Sequence, residues 1–459
     1  MKWSWIKNNK SFIPFVLFCF LFLAVIMASR GEAEEIIKKG ASLNLERCVS
    51  IALKVHPNIV AATNTVNVSM SRVGQAKANY YPRINWSSSY DRISPASGRL
   101  LGSFSSSGTT GSSLGSTGGS FGGTNGAFDE YSSGFNLSQD IYDFGKTPTQ
   151  VKVQKRNLDS SRSDLENVSE QVIFNVKQAY YGVLQAKRNR DVSAGTVKQF
   201  QQHLEQAKGF YEVGTKPRFD VTKAEADLSN AKLNLIRSEN ALRLAVVTLN
   251  NAMGIPKAPE YTLEDNLSFQ KYEITFEDAI AMAYKSRPDL KSLGAKREAA
   301  EGSIDLAKTG YYPVLTGNAS YNWTGEEFPL EHGWNVGAAL SFPLFSGFST
   351  KYQVEEAKAN LNVLKANEES LRQNIFSDVQ QAHLNLKEAE ERIPAAELNM
   401  KQAQENFEIA NGRYAAGVGN PIEVTDADIG LINARTAYIQ ALYDHKVALA
   451  SLEKAMGLK

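Results

Sequence analysis

Cysteine, long apolar runs and an excess of either charge are all scarce in this chain of 459 residues. It has two cysteines, and Cys19 lies inside an apolar run at residues 12–27. Lysines precede that run and small residues follow it, which predicts a secretory signal peptide at residues 1–33. A membrane anchor helix would need roughly 20 apolar residues. Without the signal only Cys48 remains, so no intramolecular disulfide is expected.

Apolar runs of comparable length do not recur after residue 27, which argues against further helical membrane spans. The chain carries 50 basic and 49 acidic residues, spread along its length, for a formal net charge of +1. A nucleic-acid-binding protein would need a clustered basic face. Nucleic acid is therefore not an expected partner.

Motifs for catalysis and metal binding are also lacking. The five histidines, at positions 56, 203, 332, 383 and 445, show no metal-ligand spacing. The sequence contains neither a Gly-rich phosphate loop nor a nucleophile elbow. We therefore expect no enzyme activity, no metal site and no other cofactor.

The sequence contains an internal duplication of one long unit. Residues 43–82 reappear as 274–313 with an offset of 231, and residues from Ser138 onward reappear from Ser341 onward with an offset of 203. The first copy thus carries 28 additional residues, which fall in a Ser/Gly-rich stretch at 94–126 interpreted as a flexible external loop. A period near 200 residues is too long for a solenoid. The predicted units are a first repeat at 34–254, a linker at 255–273 and a second repeat at 274–459.

Unusually long helices are predicted in both copies. Residues 149–211 contain no proline, and apolar or small residues recur there every three or four positions. Residues 224–252 follow with steps of four and three, the pattern of a coiled-coil seam, which the second copy repeats with His445 at a seam position. Glycine and proline between the helices predict antiparallel hairpins with tips at 213–219 and 416–422. Pro394 is expected to bend or interrupt the second long helix.

Shorter helices are predicted at 45–79 and 276–309, one in each copy. After each Tyr-Tyr-Pro, ending at Pro82 and Pro313, the apolar period changes to two, which predicts strand pairs at about 82–142 and 313–345. Each strand has about 10 residues with one apolar face, typical of a transmembrane strand. Four strands cannot close a membrane barrel, so two chains with eight strands or three with twelve would have to share one.

This arrangement strongly resembles the TolC-like outer membrane efflux protein family, the outer membrane factors of tripartite export systems. The motifs that carry the resemblance are Tyr211-x2-Gly214-x5-Asp220-Val221-Thr222, its counterpart Tyr414-x2-Gly417-x5-Glu423-Val424-Thr425, the junctions Ile141 to Gly145 and Leu344 to Gly347, and the ends Met253-Gly254 and Met456-Gly457.

The resemblance implies an α+β membrane protein with long α-helical hairpins forming a periplasmic α-barrel. Four strands per chain would contribute to a trimeric, 12-stranded barrel in the outer membrane of a Gram-negative bacterium, in contact with outer membrane lipid. The protein would be a passive exit duct for efflux or type I secretion. Its implied partners are a periplasmic adaptor protein and an inner-membrane pump of the RND or ABC type.

Site residues are also implied, by position. Glu423 and Asp426 resemble the acidic ring that closes the duct near the hairpin tips, and Asp220 and Tyr414 resemble the latch of the closed state. Gly419 departs from the family pattern, which has an arginine there, so the closed state would either be weaker or be held by another residue such as Arg218 or Arg413. The residues implied to contact the adaptor are Val213, Gly214, Thr215, Gly417, Val418 and Gly419.

Two alternatives accompany these expectations. Glu423 and Asp426 also suit the first turn of a helix, where acidic side chains interact favourably with the helix dipole. Three copies of a carboxylate in a narrow pore would instead repel one another and attract cations. A periplasmic coiled-coil adaptor or scaffold protein without a pore would also carry a signal peptide and long hairpins, but it would lack the two amphipathic strand pairs.

Overall fold

A computed structural model of the chain describes residues 37–38, 40–94 and 127–458. The predicted signal peptide and nearly all of the Ser/Gly-rich stretch lie outside these residues. The first half contains, in chain order, β1 (Ser42–Leu43), α1 (Leu45–Val55), α2 (Pro57–Lys77), β2 (Arg83–Ile93), β3 (Phe128–Tyr142), α3 (Lys146–Glu212) and α4 (Arg218–Ala252). The second half contains β4 (Thr262–Leu263), α5 (Phe276–Ser286), α6 (Pro288–Lys308), β5 (Val314–Gly325), β6 (Glu331–Ser341), α7 (Ser349–Ala415) and α8 (Pro421–Ala455).

The two long helices, α3 and α7, have 67 residues each, and the returning helices α4 and α8 have 35 each. A helix of 67 residues extends about 100 Å at 1.5 Å per residue. Helix α3 packs on α4, and α7 packs on α8. Helix α3 also contacts α2, α6 and α8, so the hairpins of the two halves lie side by side. The long helices and the hairpin pairing are as predicted.

Helix α7 continues through Pro394, so this proline does not interrupt the helix. A proline inside a helix removes one backbone hydrogen bond and crowds the preceding turn. The neighbouring Ile393 is buried and belongs to the core cluster that contains Tyr180 and Leu442. Burial of this apolar face stabilises the helix across the lost hydrogen bond.

The single short helix predicted in each half is in fact two helices. The chain leaves the helical conformation at His56 before Pro57, and at Arg287 before Pro288. Proline disfavours the helical conformation of the residue that precedes it, while it fits well at the first position of a new helix. The interruption therefore occurs at the same position in both halves.

The two largest apolar cores include the residues that follow the returning helices α4 and α8. Met253 and Met456 are both fully buried, each in its own apolar cluster. His445 is also fully buried, in agreement with its predicted seam position. The linker is held against the first core, because the Tyr180 hydroxyl donates a 2.6 Å hydrogen bond to the carbonyl of Glu264.

Strands β2, β3, β5 and β6 form an antiparallel sheet in that order. Directly opposed residues share one face of a sheet. Trp86 pairs with Phe135, Phe135 with Tyr321, and Tyr321 with Trp334, so an aromatic row crosses all four strands. We call this face, with its neighbouring row Ile84, Leu137, Ala319 and Val336, the apolar sheet face.

Within residues 37–38, 40–94 and 127–458, no helix is both long and apolar enough to cross a membrane.

Candidate functional site

The tip of the first hairpin is a tight turn that follows the end of α3. Gly214 has a φ of +76°, a left-handed conformation that glycine adopts without steric cost. The amide of Gly214 donates to the carbonyl of Tyr211, and the amide of Thr215 donates to the carbonyl of Phe210, both at 3.0 Å. These bonds satisfy the last carbonyls of the helix. The side chain of Val213 is 71% exposed at this tip.

The second tip closes in the same way. Gly417 has a φ of +80°, and its amide donates to the carbonyl of Tyr414 at 3.0 Å. The amides of Val418 and Gly419 both donate to the carbonyl of Arg413. Asn420 then caps α8 by accepting a 3.0 Å hydrogen bond from the amide of Ile422. The two predicted tips are thus equivalent turns. Of the residues predicted to contact an adaptor, Gly419 is buried, and the other five are exposed.

Asp220 and Tyr414, predicted as latch residues, are both buried, with 5% and 3% of their surfaces exposed. They line one small cavity between the hairpins, together with His203 and Val424. Burial raises the pKa of the Tyr414 phenol, and the charge of Asp220 raises it further. No hydrogen bond joins the two side chains in the described part of the chain.

Glu423 and Asp426, predicted as the gate ring, lie exposed on the first two turns of α8. Arg413 approaches Glu423 at 3.9 Å, with both side chains at least half exposed, so this ion pair contributes little. The Arg218 side chain is exposed and forms no ion pair with any residue that the structure describes. Neither arginine connects one hairpin to the other.

A polar network above the tips connects the hairpins and was missed by the sequence reasoning. Lys223 donates to both carboxylate oxygens of Asp227 at 2.6 Å, and the Thr425 hydroxyl donates to Asp227 at 3.0 Å. Asp227 belongs to α4 and Thr425 to α8. The four-residue spacing of Lys223 and Asp227 indicates an ion pair within one helix, but no sequence signal shows that Thr425 lies opposite.

Asp428 is the second feature that the sequence reasoning missed. It is 1% exposed, and neither carboxylate oxygen has a hydrogen-bond partner among the described residues. Burial raises its pKa to about 6; Arg435 opposes this increase and the charge of Asp227 adds to it. The sequence analysis selected Asp426 instead, which lies two positions earlier and is exposed.

His203 completes the ionisable groups between the hairpins. Its ring packs edge-on against Phe407, with centroids 6.3 Å apart. Burial lowers the pKa of the imidazole, while the carboxylate of Asp227 opposes that decrease. Across the described residues, no group of three or more His, Cys, Asp or Glu side chains is arranged to hold a metal ion. The buried carboxyl, phenol and imidazole groups of this region can therefore exchange protons as the pH changes.

Comparisons with known proteins extend over both halves of the chain. The model of the family described as outer membrane efflux protein matches residues 48–255 and 279–458. The outer membrane protein TolC of Vibrio cholerae is 24% identical over 347 residues, covering 72% of this chain and 77% of that protein. The cation efflux system protein CusC of Escherichia coli is 23% identical over 350 residues, covering 72% of this chain and 73% of that protein.

Solved structures show the same architecture. A crystal structure of CusC superposes with a TM-score of 0.75 and 18% identity, covering 94% of this chain and 99% of that one. These matches do not favour the scaffold alternative, because they include the strand pairs and the hairpins of both halves. The chain is an outer membrane efflux channel that extends into the periplasm, and it belongs to the outer membrane efflux protein family.

Proposed function

We propose that three copies of this chain form one passive exit duct whose periplasmic gate lies at the hairpin tips. The observation that carries this proposal is the apolar sheet face, which runs across all four strands. Trp86 and Trp334, at the two ends of its aromatic row, are 64% and 75% exposed in a single chain. Such a face is stable only against lipid or another apolar surface.

The edges of the sheet support the same proposal. Strands β2 and β6 each have one edge without a partner strand in the described part of one chain. Unpaired backbone groups are costly in lipid, so these edges require partners from other copies. Pairing β2 of one copy with β6 of the next would close three sheets into a twelve-stranded barrel, the assembly that the family resemblance implies.

The gate would consist of Glu423 and Asp426 from each copy. Both side chains are exposed close to the tip of the second hairpin, and in a trimer they would provide six carboxylates around one axis. Carboxylates held close together repel one another and attract cations. We propose that this ring both narrows the resting pore and binds multivalent cations there.

The tips would bind a periplasmic adaptor, and through it an inner-membrane pump of the RND or ABC type. Val213 and Val418 project from equivalent turns and are 71% and 74% exposed. Two similar apolar tips per chain give six similar docking points in a trimer. The duct would conduct the exported substrate and catalyse no reaction itself.

Single-channel conductance in planar bilayers tests the proposal. Detergent-purified protein is first sized as a trimer, and the wild type is then compared with a Glu423→Ala, Asp426→Ala double variant. We expect a small wild-type conductance that multivalent cations block from the side of the hairpin tips, with the block lost in the double variant. Block that persists in the double variant would exclude these carboxylates as the ring, and a protein that fails to insert would overturn the duct.

A further inference from the structure

The side chain of Lys216 bridges the two hairpin tips of one chain. Its Nζ donates a hydrogen bond to the carbonyl oxygen of Gly419 at 3.2 Å. The same Nζ lies 5.7 Å from the centroid of the Tyr414 ring, within the range of a cation–π interaction. Positions 216 and 419 differ by 203, the offset between the two repeats, so the contact joins equivalent turns of the two hairpins.

The turn has no room for a side chain at position 419. A β-carbon on Gly419 would lie 2.6 Å from the nitrogen of Tyr414 and 2.9 Å from the carbonyl carbon of Arg413. Such distances are too short for any β-carbon to be accommodated without displacing the backbone. A side chain at position 419 therefore cannot hold the tips together in this chain, and the backbone oxygen takes that role.

The ammonium group suits this position electrostatically. The carbonyl of Gly419 lies just beyond the C-terminal end of α7, where the helix dipole favours a positive charge. Lys216 is half-buried, so its interactions are less screened by water than those of the exposed Arg218. No carboxylate pairs with Lys216 among residues 37–38, 40–94 and 127–458, so its charge is directed at the carbonyl and the ring.

We infer that Lys216 is a positioning residue that holds the first hairpin tip against the second in the closed duct. This inference rests on the proposed gate at the tips. Opening would move the tips apart and break both contacts of the ammonium group at once. Arg413 pairs only with Glu423 of its own hairpin, and Arg218 pairs with no described residue, so neither arginine connects the tips as Lys216 does.

The test compares Lys216→Met, Lys216→Arg and Arg218→Met in the full chain, by single-channel conductance in planar bilayers. Methionine is one atom shorter than lysine, so it keeps most of the length of the side chain and removes the charge. Arg218→Met removes a charge two positions away. Loss of one cation–π contact and one hydrogen bond should increase the open fraction about fivefold in Lys216→Met. Lys216→Arg, which keeps a cation at this position, and Arg218→Met should both behave as the wild type.

Wild-type conductance in Lys216→Met, or an equal increase in Arg218→Met, would overturn the inference. Size and thermal unfolding midpoint of each detergent-purified variant show whether the trimer is intact. If Lys216→Met does not assemble, Lys216→Gln serves in its place with the same expected increase. The Glu423→Ala, Asp426→Ala variant is measured alongside. If this variant loses the cation block while Lys216→Met keeps the wild-type open fraction, the role of Lys216 is overturned and the gate is not. Absence of conductance from every inserted protein overturns both the duct and the role of Lys216.

Discussion

A β-carbon on Gly254 would lie 2.8 Å from the α-carbon of His56, so the chain turn after α4 lies directly against the break between α1 and α2. The second half contains the same contact, since a β-carbon on Gly457 would lie 2.8 Å from the nitrogen of Arg287. Both glycines have a positive φ, +75° and +71°. In each half, the Met-Gly turn therefore packs against the residue that precedes the helix-breaking proline.

Gly254→Ala should destabilise the protein, because alanine at this position meets both the left-handed backbone and the backbone of His56. The left-handed conformation alone costs about 1–2 kcal/mol for a residue with a β-carbon, and the steric clash adds to that. The thermal unfolding midpoint in detergent measures the effect. Gly457→Ala should give a decrease of similar size.

Gly74→Ala is the matched control for that prediction. Gly74 lies inside α2 and is exposed, and a β-carbon there would meet no neighbouring side chain or helix within 4 Å. Alanine is favoured over glycine in a helix by about 1 kcal/mol, so this variant should be at least as stable as the wild type. Equal midpoints for Gly254→Ala and Gly74→Ala would show that the contact with His56 contributes nothing.

Much of this architecture follows from local sequence patterns. The long helices, the tips and the strand pairs were predicted because apolar periodicity and Gly/Pro signals depend on neighbouring residues. The breaks at His56 and Arg287 were missed, although the following prolines are a local signal for them. The Lys216–Gly419 contact could not be predicted, because the duplication shows that the positions are equivalent but not that they touch.

Asp428 should make the protein less stable as the pH rises from about 4 to 6. Its pKa is about 6 in the folded protein, above the ordinary 3.8, so in this interval the folded state keeps a proton that the unfolded state releases. The difference corresponds to about 3 kcal/mol of stability, nearly all of which is lost by about pH 7. Asp428→Asn should remove this dependence, measured as the change in thermal midpoint between pH 4 and pH 7.

Asp426→Asn is the control for Asp428, since it removes an exposed carboxylate only two positions away. The change in midpoint between the two pH values should be the same in Asp426→Asn as in the wild type. If Asp428→Asn also retains the wild-type change, the unpartnered carboxylate does not titrate in this interval and the prediction is wrong.

His445 should act in the opposite direction. Burial lowers the pKa of its imidazole below 6.5, Lys446 lowers it further, and Glu390, 4.0 Å away, only partly opposes this. As the pH falls through 6.5 the unfolded state gains a proton that the folded state does not, so stability is lost on acidification. His445→Leu should lose less stability than the wild type between pH 7.5 and pH 5.5. A greater loss in the variant would contradict the prediction.

Val336 and Asn335, adjacent on β6, test which face of the sheet meets lipid. Val336 belongs to the apolar sheet face and pairs with Ala319, whereas Asn335 points to the other face and pairs with Ser320. An arginine on the lipid side of a membrane strand costs about 2–4 kcal/mol near the bilayer midplane, whereas the opposite face tolerates charge. Val336→Arg should therefore reduce the amount of trimer recovered from the outer membrane fraction, while Asn335→Arg should leave it near the wild-type amount. Similar recovery of both variants would mean that the apolar sheet face does not lie against lipid, and a loss confined to Asn335→Arg would mean that the sheet is oriented the other way round.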